Sequence, residues 1–190
     1  ATDGPPLAVR RPVLPPEDPV LGDASAPLVV VEYEDYQAPL CGRFARLDFP
    51  LLRTEYIDTG RVRWVFRHFP QAANNRAEPA ARAAECAHDQ GFFFEYRDLI
   101  YATTDADNAT ILTDAMLEQH ADTLGLDRTL FDACFGGDFK NTRIDQDVNS
   151  ATVLGAQAAP VFVIGSELVS TLITADQLSV IIDRHLRDVE

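Results

Sequence analysis

Three cysteines and four histidines are the side chains best suited to covalent or metal chemistry in this sequence. Cys41 follows Pro39 and Leu40 at the point where an apolar run gives way to helical spacing, which puts its sulfur about one turn into a helix. A thiol attacks only as its anion, and backbone N–H groups at a helix start favour that anion. Ala38 holds that place, and Cys41 lies one turn further in. Six residues before Ala38, Glu32 interrupts an apolar strand pattern. A carboxylate inside such a strand is costly to ionise, so its proton affinity rises toward a range useful for proton transfer. An edge strand with Glu32 turned to solvent is the alternative. His68, His88, His120 and His185 form no H-x-x-x-H pattern and no ligand set with the cysteines, so neither a metal nor another cofactor is expected. His120 and His185 are expected to face solvent.

These groups need a scaffold. Leu28 to Tyr33 is a β-branched run closed by the polar Glu34-Asp35 and reads as a buried strand. Pro39 suits a first helical turn, and Phe44, Leu47, Leu51 and Leu52 continue at helical spacing, with a possible kink at Pro50. Val62, Trp64 and Phe66 alternate in a second strand that stops at Pro70. The start is thus β-α-β. A helical block follows, with segments over Pro79–Asp89, Phe92–Tyr101, Thr113–Leu124, Leu126–Phe135 and Phe139–Leu154. Cys86 and Cys134 fall on two of them. Phe92, Phe93, Phe94 and Tyr96 are expected mainly in the core, with an apolar groove for unfolded polypeptide as the lesser use. Val161–Ile164 is a strand opened by Pro160, Glu167–Ser170 returns as a hairpin, and Leu178, Ile181, Ile182 and Leu186 mark a closing amphipathic helix. The plan is a 1–19 Pro-rich extended tether, a core split over 20–70 and 156–190, and a helical insertion over 71–155.

Composition narrows the classes. The chain has 190 residues, 46% hydrophobic and 24% charged, which is ordinary for a globular domain. Acids outnumber bases 30 to 16, for a formal charge of −14, a sign that repels phosphate backbones and argues against nucleic-acid binding. No apolar run approaches the ~20 residues of a membrane helix. The opening Ala1, without a leader, and the Pro-rich 1–19 fit a processed exported chain; a trimmed cytosolic protein is the alternative.

The segment Tyr36-Gln37-Ala38-Pro39-Leu40-Cys41 resembles the active-site segment of DsbA-like thioredoxin-fold oxidoreductases, which reads Cys-Pro-X-Cys at this place. The resemblance continues through Glu32-Tyr33, Arg67-His68-Phe69-Pro70, Ala84-Glu85-Cys86-Ala87, Leu124-Gly125-Leu126-Asp127 and Ala159-Pro160-Val161-Phe162. It covers roughly Asp18 to Asp188. It implies an α/β thioredoxin fold, β-α-β … β-β-α, with the helical subdomain inserted. It implies that Glu32 lies beneath Cys41 and exchanges protons with it. It also implies that Ala159–Pro160 is the cis-proline loop facing the active site, with Pro39, Leu40 and Ala159 as substrate contacts. Cys86 and Cys134 match a pair that bridges the helical domain in related members; two buried free thiols are the alternative.

One departure stands at the nucleophile: Ala38 occupies the place of the first cysteine and has no sulfur. A two-cysteine centre passes a disulfide between its own thiols and a substrate's, which this chain cannot do as written. An engineered replacement in a working enzyme and a natural loss both fit, and the preserved surroundings favour the first. The resemblance implies a parent disulfide oxidase of exported proteins: extracytoplasmic or periplasmic, tethered to a membrane by a removed N-terminal segment or free, monomeric, and reoxidised by a membrane quinone-linked partner. The competing readings are a redox-silent peptide-binding or chaperone module and a one-cysteine enzyme using Cys41.

Overall fold

The computed structural model describes residues 15–104, 112–170 and 173–189. Five strands form one sheet in the order β1-β3-β2-β4-β5. β2 (Leu28–Glu34) and β3 (Val62–His68) run parallel, and β2 pairs antiparallel with β4 (Val161–Ile164), which pairs with β5 (Glu167–Val169). β1 (Val20–Leu21), absent from the sequence reading, adds an antiparallel edge against Trp64 and Val65. Gly22 follows it with φ 95°, and a Cβ there would stand 2.5 Å from the Val62 carbonyl oxygen, so the turn needs glycine.

Between β2 and β3 the chain makes one long, irregular helix: α1 (Pro39–Arg43), a π-helical turn over Phe44–Asp48, α2 (Phe49–Leu52) and a second π-helical turn over Arg53–Ile57. Each π turn spends an extra residue and rotates the face that follows. This corrects the simple spacing read from Phe44, Leu47 and Leu51. Phe44, Phe49, Leu52 and Tyr56 are buried, whereas Leu47 and Leu51 are exposed. Pro50 sits in the first turn of α2, where its missing N–H is tolerated.

Among the described residues, five helices lie between β3 and β4: α3 (Ala77–His88), α4 (Phe93–Thr103), α5 (Asp114–Leu124), α6 (Arg128–Phe135) and α7 (Asn141–Val153). Thr113 caps α5 through its side chain, and Gly125 closes it in the left-handed conformation. Asp127 caps α6 in the same way. The final α8 (Ala175–Arg187) begins with a Thr174/Gln177 capping box and buries Leu178, Ile182 and Leu186. Phe93 and Tyr96 are buried, with Phe92 and Phe94 packed partly against them.

Two histidines depart from expectation. His120 is buried, held by Thr103 Oγ1 at 3.1 Å and by the edge of Tyr96, because the face of α5 that carries Leu117 and Ala121 carries it too. His185 is half-buried against Glu167 at 3.1 Å.

Cys86 and Cys134 are disulfide-bonded, joining α3 to α6 across 48 residues. In the chain-entropy model a loop of that length stabilises by about 4 kcal/mol. Reduction under native conditions is expected to lower the urea midpoint accordingly. An unchanged midpoint would mean that the reduced, unfolded chain is already compact.

The prolines Pro5, Pro6 and Pro12 of the expected tether lie outside the described residues. Its last part belongs to the folded unit. Asp18 is buried, donates its backbone N–H to Pro15 O, and pairs with Arg67 at 2.9 Å and with Arg143. Asp147 lies between the same two arginines, 3.3 Å from Arg143 and 3.8 Å from Arg67, and accepts the His68 backbone N–H at 3.0 Å.

Candidate active site

β2 is the central strand, so Glu32 has no solvent edge to face; it is fully buried. It accepts the Trp64 indole N–H at 2.9 Å and lies 3.5 Å from Arg97. Burial, partly offset by Arg97 and reinforced by Glu34, pushes its carboxyl up to about 8. Glu34, read from sequence as a polar strand stop, is instead part of β2 and equally buried, because Arg97 reaches it from α4.

Ala38 is the N-cap of α1 with extended backbone (φ −76°, ψ 122°), and its carbonyl accepts from the Gly42 N–H. Pro39 and Leu40 are exposed at the start of the helix. Cys41 is the one free cysteine, 1% exposed, and its Sγ accepts the Asp35 backbone N–H at 3.4 Å. Burial raises its thiol well above the usual range, and the charges of Glu34, Glu32 and Asp35 add to that, while the Asp35 N–H opposes them. Alkylation of the native chain near neutral pH is therefore expected to be far slower than in denaturant. Equal rates would mean that the sulfur is accessible and ionised.

Asp35 organises the loop. Its carboxylate accepts the Gln37 N–H at 2.7 Å, the Gln71 N–H at 2.8 Å and the Asn74 amide at 2.8 Å. Gln37 in turn accepts the Arg76 N–H at 2.6 Å. The segment that leaves β3 is thus stitched to the segment that enters α1. His68, at the end of β3, is buried with Nε2 2.9 Å from Glu85. Burial opposes its charge, but Glu85, Asp147 and Glu34 outweigh that and raise its proton affinity.

The Ala159–Pro160 peptide bond is cis, and both residues are buried. Val161 pairs with Tyr33, so Pro160 enters β4 beside the end of β2 from which the chain continues to Asp35 and Cys41. The sheet thus brings Glu32, Cys41, Ala38 and Pro160 to one region. It leaves Cys86 and Cys134 in the helical insertion. Sequence reading missed Glu34, Asp35 and Arg97. The alternation of Glu32 and Glu34 in one strand was a usable signal, since both must leave the same face.

Glu32 allows a pH test. Its folded value near 8 stands above the ordinary 4.5, so between those limits the folded chain holds a proton that the unfolded chain has released. Stability contributed by this group falls as pH rises through that window, by up to about 1.4 kcal/mol per pH unit. Glu32→Gln should remove that slope. Parallel denaturation profiles for the two chains at pH 5 and pH 8 would refute the assignment.

Among the described residues there is no cluster of three metal-binding side chains, and no helix long and apolar enough to cross a membrane. The family Thioredoxin_4, thioredoxin, matches residues 15–184. A sodium/proton antiporter, NhaA 3 from Salinispora tropica, is 37% identical over 80% of this chain, which spans only 22% of that protein's length. Oxidised BdbD from Bacillus subtilis superposes with a TM-score of 0.84 at 21% identity, covering 95% of this chain and 98% of that one. Alpha-DsbA1 from Wolbachia pipientis gives 0.79 at 24% identity, covering 93% and 94%. With a split β-α-β and β-β-α core, a helical insertion and a match along nearly its whole length, the chain belongs to the thioredoxin family and has the DsbA-like form of its fold.

Proposed function

We propose that this chain is the scaffold of a thiol–disulfide oxidoreductase whose attacking thiol is replaced by Ala38. The observation that supports this is a helix N-cap at residue 38 three residues before a buried thiol that feels the charge of Glu32, with a cis-proline opening β4, the strand next to β2. With cysteine at 38, a substrate thiolate attacks that sulfur in the 38–41 disulfide. The S–S bond breaks, and Cys41 leaves as thiolate and takes a proton. A second substrate thiolate then displaces residue 38 from the mixed disulfide, leaving the substrate oxidised by two electrons and the centre reduced. Glu32 supplies the proton for Cys41. Pro160 and Ala159, with Pro39 and Leu40, contact the substrate backbone. The substrates are exported polypeptides with free thiols, the setting is extracytoplasmic, and a membrane quinone-linked oxidase restores the disulfide. The protein acts as a monomer.

The test is oxidation of a reduced, unfolded protein. The present chain should be inert, Ala38→Cys active, and Ala38→Cys with Cys41→Ala without net oxidation. Ala38 itself favours a second reading, a redox-silent peptide-binding module. An Ala38→Cys chain that forms the new disulfide and transfers nothing would support that reading.

A further inference from the structure

Arg97 belongs to α4 of the helical insertion, yet its guanidinium ends on the central strand. Its Nε lies 3.0 Å from both Glu34 oxygens, and its Nη2 lies 2.9 Å from Glu34 and 3.5 Å from Glu32. The Tyr101 hydroxyl donates to Glu34 at 3.3 Å. The cation rests over Phe66 at 4.5 Å, Phe49 at 5.1 Å and Tyr101 at 5.2 Å. Arg97, Glu32 and Glu34 are each at most 1% exposed. One cation therefore serves two carboxylates out of water, where a second uncompensated anion costs several kcal/mol. The other charged or titratable groups around the set are Asp98, 60% exposed and 3.3 Å from Arg97, Tyr36 beside Tyr101, the His68–Glu85 pair, and Cys41 with Asp35.

We propose that Arg97 is a positioning residue for the chemistry at Cys41: by gripping Glu32 and Glu34 together, it sets how much negative charge β2 presents to the sulfur. The catalytic consequence rests on the redox reading above. With Arg97 in place Glu32 keeps its proton, and one guanidinium stands beside both carboxyls. When the 38–41 disulfide opens, that proton passes to the Cys41 thiolate, and the single guanidinium then faces both carboxyls and offsets one of the two negative charges the pair can carry. Without the cation, the same transfer leaves two bare carboxylates side by side.

The test begins with the chain as it exists, its disulfide intact and its glutamates carbon-labelled. The carboxyl titrations of Glu32 and Glu34 are followed by NMR in the parent, Arg97→Gln and Arg97→Lys. Gln should move the buried titration upward by about one pH unit or more, a tenfold change in proton affinity, whereas Lys should hold it near the parent. Both variants should lose stability, so a merely structural role predicts equal effects on the two. Equal titrations in Gln and Lys would overturn the proposal. If Arg97→Gln does not fold, Glu34→Gln is compared with Glu34→Gln/Arg97→Gln. The first frees the cation for Glu32 and should lower its titration, and the second should raise it; no difference between them overturns the proposal. In an Ala38→Cys background, the pH profile of disulfide reduction by glutathione should move with the titration in Gln and not in Lys. A titration that moves while an active exchange profile stays fixed overturns the catalytic role. An Ala38→Cys chain that exchanges no disulfide at all counts against the redox reading, while the titration still decides the charge-setting role.

Discussion

Ala38→Cys is expected to convert an inert chain into one that turns over thiols, with the fold unchanged. Residues 38 and 41 are three apart on the first helical turn, the spacing at which side chains meet. Ala38 already has cap geometry, and Pro39 fixes the φ of the next residue, so the new side chain enters without rearrangement. Its sulfur would sit where first-turn amides lack intrahelical partners, which draws such thiols from ~8.5 into the ~3.5–7.5 range. A more acidic thiol stabilises the reduced form and makes the disulfide more oxidising. Leu40, exposed beside it, adds no positive charge, so the effect should be moderate within that range. Two measurements check this: rapid alkylation of residue 38 near neutral pH while Cys41 stays protected, and equilibration of the pair with glutathione. Alkylation at the rate of an unperturbed thiol would mean that the helix start does not activate it.

Asp18→Ala should cost about 3–5 kcal/mol, the loss seen when one partner of a buried ion pair is removed. The Asp18 side chain is fully buried, and the arginines it joins, Arg67 and Arg143, are 8% and 10% exposed at their side chains. Removing it takes away a carboxylate that the two cations share, while Asp147 stays 3.8 Å from Arg67 and 3.3 Å from Arg143. It also unties the N-terminal segment from β3 and α7, and with it the register of β1 against Val65. Asp18→Asn retains acceptor and shape and should lose less. Urea denaturation of the three chains at one pH measures the difference. A loss under about 1 kcal/mol for alanine would show that water replaces the carboxylate.

What the sequence made legible followed from local chemistry. The β-branched runs at Val29–Val31 and Val161–Ile164 marked strands that are buried on both faces, and the thiol spacing with Pro39 marked the helix start. What it hid depends on partners far along the chain. Asp18 looks like part of a Pro-rich tether until Arg67 and Arg143 converge on it. Arg97 looks like a solvated helix residue until Glu32 and Glu34 are placed beneath it. The π-helical turns escape because a spacing of three and four assumes constant pitch, and Leu47 and Leu51 are exposed as a result. β1 is two residues long, too short for any period to register.

The position of β4 also constrains how the molecule is built during synthesis. Val30 on the central strand has Trp64 as its neighbour on one side and Ile164 on the other. The first arrives soon after β2 is made, whereas the second follows only after the whole insertion. Until then β2 presents an open row of amides and carbonyls flanked by valines, the kind of edge that recruits other chains. The late partner also raises the mean sequence separation of contacts, which slows folding. Until β4 docks, one half of the sheet can be complete while the other half is a gap shaped for Val161–Ile164.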